Sequence, residues 1–152
     1  MPTDCFVCDK QRGRIAVPGG ALYEDEYVYA SHGIIDEGRS RAYLGTLFVE
    51  PKRHVPGIAE LSDHEAKEIG LLSSHLARAL KQSEGAEHVY VFVLGQHVDH
   101  LHVWLVPRYP GTPREYWPMR LAEWPAAPKG DAEQIAALCA RVRARLASIR
   151  LA

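Results

Sequence analysis

The chain has 152 residues, which is the length of one domain of ordinary size. Apolar residues make up 47% of it, enough to build a core, and the formal net charge of −1 excludes the strongly basic field of a protein that binds nucleic acids through charge alone. The sequence has no apolar run long enough to span a bilayer and no signal-peptide pattern, so we expect a cytoplasmic protein without membrane or nucleic-acid partners.

The first third of the chain has a β-rich pattern that is interrupted by turns. Residues 21–30 (ALYEDEYVYA) predict a β-hairpin whose turn is the acidic segment 24–26. Residues 34–42 contain Gly, Asp and Arg and predict a loop. A second β-rich run follows at 43–49 (YLGTLFV), and Pro51 predicts its end.

A long helix is predicted after this strand. Ser62 or Asp63 can cap its N-terminus, and Gly85 is typical of a helix end. Between these positions, apolar residues recur at the spacing of one helix face: Ala66, Ile69, Leu72, Leu76 and Leu80.

Two further β runs and a second helix complete the chain. Residues 88–94 and 100–106 are β-rich, and Pro107 predicts the end of the second run. The proline-rich segment 109–129 predicts an irregular arm along the surface, and Asp131 can cap a C-terminal helix. The apolar stripe of that helix comprises Ile135, Leu138, Cys139, Val142 and Leu146. Strands and helices in this order indicate the α+β class.

Histidines alternate with apolar residues in the last β run. Side chains alternate across a strand, so His100, His102 and Trp104 are expected on one face and the intervening aliphatic residues on the other. Two adjacent imidazoles on a buried strand are unusual, because a core normally takes aliphatic residues there. The pattern indicates either a functional site or a pair of hydrogen-bonded core histidines.

Cys5 and Cys8 form the only close pair among the three cysteines. An odd number of cysteines does not suggest a disulfide framework, and a Cys-x-x-Cys pair is consistent with redox chemistry, with half of a zinc site or with coincidence. A closed zinc site needs four ligands, so histidines would have to complete it. Spacing alone leaves these candidates open: His32, His54, His88, His97 and His100. Cys139 is better interpreted as a small core residue.

Several segments together resemble one family. Residues 95–103 (GQHVDHLHV) resemble the signature of the histidine triad (HIT) superfamily, His-φ-His-φ-His, which is preceded by Gly-Gln and followed by Pro-Arg, as at 107–108 here. Residues 47–54 (LFVEPKRH) resemble the family's Val-Ile-Pro-Lys-x-His strand end, and residues 23–26 resemble its early hairpin. Cys-Phe-Val-Cys at 5–8 resembles the Cys-Ile-Phe-Cys opening of the zinc-containing branch. Four matches in family order are more specific than any one alone.

The resemblance implies an α+β fold. The family has a five-stranded antiparallel sheet with a long helix and usually forms a homodimer. We expect residues 1–152 to form a single HIT-like domain, in which residues 109–152 add the proline-rich arm and an extra C-terminal helix outside the similarity.

The resemblance also implies roles for individual residues. The middle motif histidine, here His102, corresponds to the family's nucleophile, which forms a transient nucleotidyl-imidazole. In the zinc branch, a structural Zn²⁺ is held by the residues that correspond to Cys5, Cys8, His54 and His100. The candidate substrate-binding residues, which would contact a nucleotide or another phosphorylated small molecule, are Gln96, His97, Trp104 and Arg108.

Trp104 departs from the family pattern, because the third motif position is normally histidine. Two interpretations follow. In the first, the protein is an enzyme, a nucleotide hydrolase or nucleotidyltransferase that acts on phosphoanhydride-type bonds, such as those of dinucleoside polyphosphates, through His102. In the second, it is a nucleotide- or phosphate-binding protein with little turnover, because indole donates a hydrogen bond but cannot shuttle a proton.

Overall fold

A computed structural model describes residues 4–152 and contains one large sheet, one small sheet and three helices. The strands are β1 (Ala21–Glu24), β2 (Val28–His32), β3 (Ala42–Tyr43), β4 (Leu47–Pro51), β5 (His88–Phe92), β6 (Val103–Arg108) and β7 (Lys129–Gly130). The helices are α1 (Phe6–Gln11), α2 (Asp63–Glu84) and α3 (Ala132–Leu151). Short 3-10 turns occur at Ile58–Glu60, Arg114–Tyr116 and Leu121–Glu123.

The large sheet has five antiparallel strands in the order β1-β2-β4-β6-β5, which confirms the predicted fold class. Its inner face packs against α2 and α3, and this interface holds the main core. The outer face carries the alternate residues of each strand, including Phe48 and Trp104, which lie opposite each other. Trp104, one of the candidate substrate-binding residues, therefore lies on this outer face.

Helix α2 begins and ends where the sequence predicts. Ser62 is the N-cap and forms a capping box with Glu65, and Gly85 ends the helix with a φ of 74°. Glu65 is buried, whereas Ala66, which was expected on the apolar face, is exposed. The Glu65 carboxylate tolerates burial because Arg53 forms an ion pair with it at 2.7 Å and the Ser62 amide donates to it at 2.8 Å.

Helix α3 begins at its predicted cap, Asp131, and all residues of its predicted apolar stripe are buried. It packs beside α2 and contacts β1, so it belongs to the same core as the sheet. None of the helices within residues 4–152 is long and apolar enough to cross a membrane.

The predicted β run at 43–49 is divided in two. β3 ends at Tyr43, and β4 begins at Leu47 after a turn. Gly45 in this turn has a φ of 91°, and a Cβ atom there would lie 2.7 Å from both the Pro107 and Tyr109 side chains. The close approach and the positive φ both require glycine, and they interrupt the strand. β3 then pairs with β7 of the C-terminal arm, a contact that the sequence pattern did not predict.

The last strand lies further along the chain than predicted. β6 begins at Val103 instead of residue 100, because the preceding Leu101 amide donates to the Val55 carbonyl at 2.7 Å and not to a sheet neighbour. Pro107 lies inside β6 instead of ending it. β4 pairs with β6 only as far as Leu105, so Pro107 occupies a part of the strand that is bonded on one side.

Candidate metal centre and active-site cavity

Four potential metal ligands converge beside the short N-terminal helix α1. Their ligand atoms all lie within 4.8 Å of one another, and they belong to Cys5, Cys8, His54 and His100. Cys5 is the N-cap of α1 and Cys8 lies on its first turn, so both Sγ atoms are held on the same side of this short helix. His54 follows β4, and His100 precedes β6.

The distances in this cluster fit a tetrahedral ion. The His100 Nδ1 atom lies 3.6 Å from the Cys5 Sγ and 3.4 Å from the Cys8 Sγ, and the His54 Nδ1 lies 3.5 Å from the Cys8 Sγ. Tetrahedral zinc, with bonds of about 2.3 Å to sulfur and about 2.0 Å to nitrogen, would separate such atoms by about 3.5 Å. The donor set and its spacing therefore suggest zinc.

Surrounding contacts orient the ligands. The His100 Nε2–H donates to the Pro51 carbonyl at 2.9 Å, which leaves Nδ1 as the nitrogen directed at the cysteines. Burial lowers the pKa of His100, so its imidazole is neutral as a ligand must be. Burial and the neighbouring Cys5 thiol raise the pKa of Cys8 to about 11 in the absence of an ion. A bound cation would stabilise the thiolate form.

Spacing left five histidines open as metal ligands, and the structure brings two of them, His54 and His100, to the cysteines. His32 is buried elsewhere, where its Nδ1–H donates to the Gly33 carbonyl and its Nε2 accepts from the Gly45 amide. His88 is exposed on β5. Cys139 is buried in the α3 core, as expected.

A cavity of about 550 Å³ lies over the outer face of the sheet, beside the metal-ligand cluster. Its apolar walls include Phe6, Phe48, Leu94 and Trp104, and its polar lining includes Gln96, His97 and His102. The cavity thus joins the histidine motif to the aromatic residues of β4 and α1.

His102 forms a side-chain hydrogen bond with the backbone two residues before it. Its Nδ1–H donates to the His100 carbonyl at 2.8 Å, so in the neutral imidazole the unprotonated nitrogen is Nε2. The ring lies 5.9 Å from that of Phe48 and 6.0 Å from that of Trp104, measured between centroids. This tautomer leaves a nucleophilic lone pair on a residue that lines the cavity.

Trp104 packs between two aromatic rings. Its indole contacts Phe48 edge-on at 4.5 Å and stacks on Phe92 at 5.6 Å, measured between centroids. Its Nε1–H is buried and has no hydrogen-bond partner within residues 4–152. A buried donor without a partner is costly, so the indole orientation is set by its aromatic packing and not by a hydrogen bond.

A buried ion pair borders the same cavity and was not found by sequence reasoning. Lys10 and Glu50 are 5% and 1% exposed, and the Lys10 ammonium contacts the Glu50 carboxylate. Burial raises the pKa of Glu50, and the adjacent ammonium opposes that shift. The sequence offered one signal of this pair, the carboxylate of Glu50, which follows Phe48 by two residues and so shares its face of β4.

Arg108 lies away from the cavity. It is six positions after His102, roughly 20 Å along an extended strand. Its guanidinium donates to the Tyr90 hydroxyl at 2.6 Å and lies 3.6 Å from the centroid of the Trp117 ring. Of the four candidate substrate-binding residues, the structure brings Gln96, His97 and Trp104 to the cavity and leaves Arg108 outside it.

The fold and the cavity define a class of protein, and comparison with known proteins identifies it. Residues 16–111 match the HIT domain family, so the chain belongs to that family. A Bacillus subtilis protein named "Protein hit" is 31% identical over 113 residues, which cover 70% of this chain and 72% of that protein.

Solved structures share the fold over nearly the whole chain. A zinc-bound histidine triad family protein from Mycobacterium smegmatis superposes with a TM-score of 0.70 at 21% identity, over 97% of this chain and 96% of the other. A hypothetical histidine triad nucleotide-binding protein from Sulfolobus tokodaii gives a TM-score of 0.72 at 20% identity, over 96% and 94% of the two chains. The coverage extends beyond residue 111, so this fold includes the arm and α3.

Proposed function

We propose that the protein is a nucleotide hydrolase or nucleotidyltransferase that acts on phosphoanhydride-type bonds through a covalent intermediate on His102. Membership of the HIT family supports nucleotide chemistry in general. The observation that carries the specific proposal is the hydrogen bond from the His102 Nδ1–H to the His100 carbonyl, which leaves Nε2 unprotonated at the cavity.

The proposed reaction has two steps. His102 Nε2 attacks the α-phosphorus of the nucleotide, a nitrogen–phosphorus bond forms, and the bond from phosphorus to the leaving-group oxygen breaks. Water or another acceptor then attacks the same phosphorus, its proton passes to solvent, and the nitrogen–phosphorus bond breaks to release the neutral imidazole. Backbone amides of the loop 95–98, which lines the cavity, are suited to donate to the phosphate oxygens.

Trp104 limits which leaving groups react. Indole can donate a hydrogen bond but cannot deliver a proton, so the leaving group must depart as an anion or take its proton from water. Substrates with acidic leaving groups, such as the polyphosphate chain of a dinucleoside polyphosphate, therefore suit the site better than simple esters.

We further propose that the Cys5, Cys8, His54 and His100 cluster holds one structural Zn²⁺. Zinc in such a closed Cys₂His₂ site contributes folding energy and does not bind substrate. Here it would anchor α1 next to the histidine motif, and α1 carries Phe6 and Lys10, which line the cavity. His100 is committed to the metal in this arrangement, which leaves His102 as the attacking imidazole.

The second candidate function is nucleotide binding with little turnover. The observation that favours it is the replacement of the third motif histidine by Trp104, because indole cannot shuttle a proton.

The decisive experiment measures turnover of a nucleotide panel by the wild-type protein and by His102→Ala, with His64→Ala as control. His64 is an exposed histidine on α2, outside the cavity. We expect His102→Ala to lose at least about a thousandfold in kcat while it retains its fold and metal content, because the nucleophile has no substitute. Rapid quenching and mass spectrometry should detect a nucleotidyl adduct on wild type.

Full activity of His102→Ala would contradict the mechanism. If the wild-type protein binds a nucleotide but does not turn it over, the nucleotide-binding function would replace the proposed enzymatic function.

A further inference from the structure

Among residues 4–152, three histidines line the cavity, and they differ in what their ring nitrogens contact. Both ring nitrogens of the buried His32 are hydrogen-bonded to backbone groups. The Nδ1–H of His102 donates to the His100 carbonyl, and its Nε2 is the proposed nucleophile. The His97 side chain is exposed and forms no hydrogen bond or ion pair with any residue that the structure describes. Both ring nitrogens of His97 are therefore available to a bound molecule.

The loop that carries His97 forms a wall of the cavity. It follows β5, and its residues 96–98 all line the cavity. Val98 packs against the buried residues at the start of α1, so the loop is anchored beside the metal-ligand cluster. This contact keeps His97 at the cluster end of the cavity. His102, two residues after the potential metal ligand His100, lies at that end too.

His102 approaches a bound phosphorus from the sheet. The register pairs Val49 with Val103. The adjacent residues Glu50 and His102 therefore lie side by side on the outer face, over which the cavity lies. In displacement at phosphorus, the attacking and leaving atoms are roughly in line. The leaving group thus departs away from the sheet, and in the second step water enters from that side. The wall formed by residues 96–98 borders the path of this water.

The other titratable groups of the lining are less suited to take a proton from that water. The Glu50 carboxylate is buried and already paired with the Lys10 ammonium. Asp36 lies in the loop that leaves β2 beside the start of β4, whereas His102 lies beside its end. The remaining titratable groups that line the cavity within residues 4–152 are Arg39, Arg41, Tyr43 and Lys129. Protonated arginine and lysine accept no proton, and the Tyr43 hydroxyl is bonded to a backbone carbonyl.

We propose that His97 is the general base of the second step and takes a proton from the water molecule that attacks the nucleotidyl group on His102. The proposal rests on the proposed function, which supplies that intermediate. As the water oxygen bonds to phosphorus, one of its protons moves to a ring nitrogen of His97. The nitrogen–phosphorus bond breaks, and its electron pair returns to the His102 imidazole. Because His97 is exposed, its imidazolium then releases the proton to solvent.

The first step does not need this base when the leaving group is acidic. Such a group departs as an anion, so no proton has to be moved. His97 therefore separates the two steps of the reaction. Its loss should slow the breakdown of the intermediate and leave the formation of the intermediate unchanged.

The test follows the two steps separately with the p-nitrophenyl ester of AMP. Its leaving group departs as a coloured anion, so absorbance in the first turnover reports formation of the adduct on His102. Rapid quenching and mass spectrometry report decay of the adduct. The test variant is His97→Gln, which keeps a polar side chain but has no basic nitrogen. The control is His64→Gln, which makes the same exchange at an exposed position on α2, outside the cavity.

We expect His97→Gln to slow decay of the adduct by about a hundredfold or more, because general base catalysis contributes about 10²–10⁴-fold. Release of p-nitrophenolate in the first turnover should stay within about twofold of wild type, so the adduct should accumulate on the variant. His64→Gln should match wild type in both steps. Circular dichroism and metal content verify that both variants are folded.

Three results would overturn the assignment. Equal decay of the adduct in His97→Gln and wild type would remove the role of His97 and leave the His102 mechanism standing. Equal slowing of both steps would indicate a role in substrate binding or loop structure and not in proton transfer. If neither wild type nor His97→Gln forms an adduct, the His102 mechanism and the role of His97 fail together.

Discussion

At the scale of single residues, Trp104 is the departure from the family's histidine motif with the clearest chemical consequence. It lies beside His102 at the third motif position and has a buried N–H without a partner within residues 4–152. The indole supplies a hydrogen bond where a histidine would supply a proton. In the proposed mechanism, this residue would therefore affect departure of the leaving group more than the attack of His102.

Restoring a histidine at this position should broaden the substrate range. We expect Trp104→His to raise kcat by about tenfold or more for substrates with poor leaving groups, and to change activated substrates little, because general acid catalysis matters only when the leaving group needs a proton. Trp104→Phe keeps an aromatic ring but has no donor, so it is the control for lost packing. If Trp104→His gains nothing over Trp104→Phe, protonation by this position is not limiting.

At the scale of secondary-structure elements, the N-terminus of α2 depends on a charge network. The Glu65 carboxylate accepts from the Arg53 guanidinium and from the Ser62 amide, which lowers the pKa of Glu65 to about 2. A carboxyl group with a lowered pKa contributes stability above its unfolded value of 4.5 and loses it as the pH falls towards 2.

We predict that Glu65→Gln lowers the free energy of unfolding by about 1–2 kcal/mol at pH 7. The difference from wild type should shrink as the pH falls from about 4.5 to about 2 and disappear below that range. Denaturant unfolding at several pH values measures this. Glu133→Gln, in the first turn of α3 without an ion pair to another described residue, is the control and should show no such pH dependence. A difference that persists at the lowest pH would contradict the assigned role.

We expect the short helix α1 to depend in a similar way on a metal ion held by the ligand cluster. It has only six residues, too few to be stable alone, and two of the four ligands lie at its start. Zinc would therefore replace the intrinsic stability that this helix lacks.

We expect purified protein to contain one zinc ion per chain, and Cys8→Ser to lose it together with about 3 kcal/mol or more of unfolding free energy. Elemental analysis and thermal unfolding measure both effects. Cys139→Ala removes a cysteine from the α3 core and should keep full zinc content, which separates the ligand role from loss of a thiol. A well-folded wild-type protein without metal would refute the assignment.

At the scale of the whole molecule, the edge of the large sheet offers a surface for a second copy. β5 is an outermost strand, and no other strand within residues 4–152 pairs with its free side. Val91, Val93 and Leu94 are 51%, 37% and 43% exposed along this edge. Open backbone groups next to apolar side chains favour association between edges.

We therefore predict a homodimer, with a solution mass of twice the 17.0 kDa of one chain. Val91→Lys places a charge on the edge strand and should shift the protein towards the monomer in light scattering. Ile58→Lys changes an exposed apolar residue in the 3-10 turn before α2 and should not. A wild-type protein that is monomeric at micromolar concentration would refute the prediction.

The sequence alone determined those features that depend on neighbouring residues. Gly85 and Asp131 mark helix ends through backbone freedom and a side chain, and the structure confirms both; of the two predicted caps Ser62 and Asp63, it selects Ser62. The apolar stripe of α3 was equally predictable, because its spacing is set by helix geometry. The resemblance to the HIT family singled out His102 and the four potential metal ligands, which a short motif and its order along the chain can encode.

Tertiary structure alone decided which distant residues meet. Lys10 and Glu50 lie 40 positions apart and form a buried pair because the end of α1 lies against the end of β4. Arg41 and Lys129 lie 88 positions apart and reach one cavity because the arm returns to pair with β3. Arg108 follows the motif closely in sequence, yet the direction of β6 carries it away from His102. Local pattern specifies the elements, whereas docking and register place residues from separate segments together, and no local pattern contains that information.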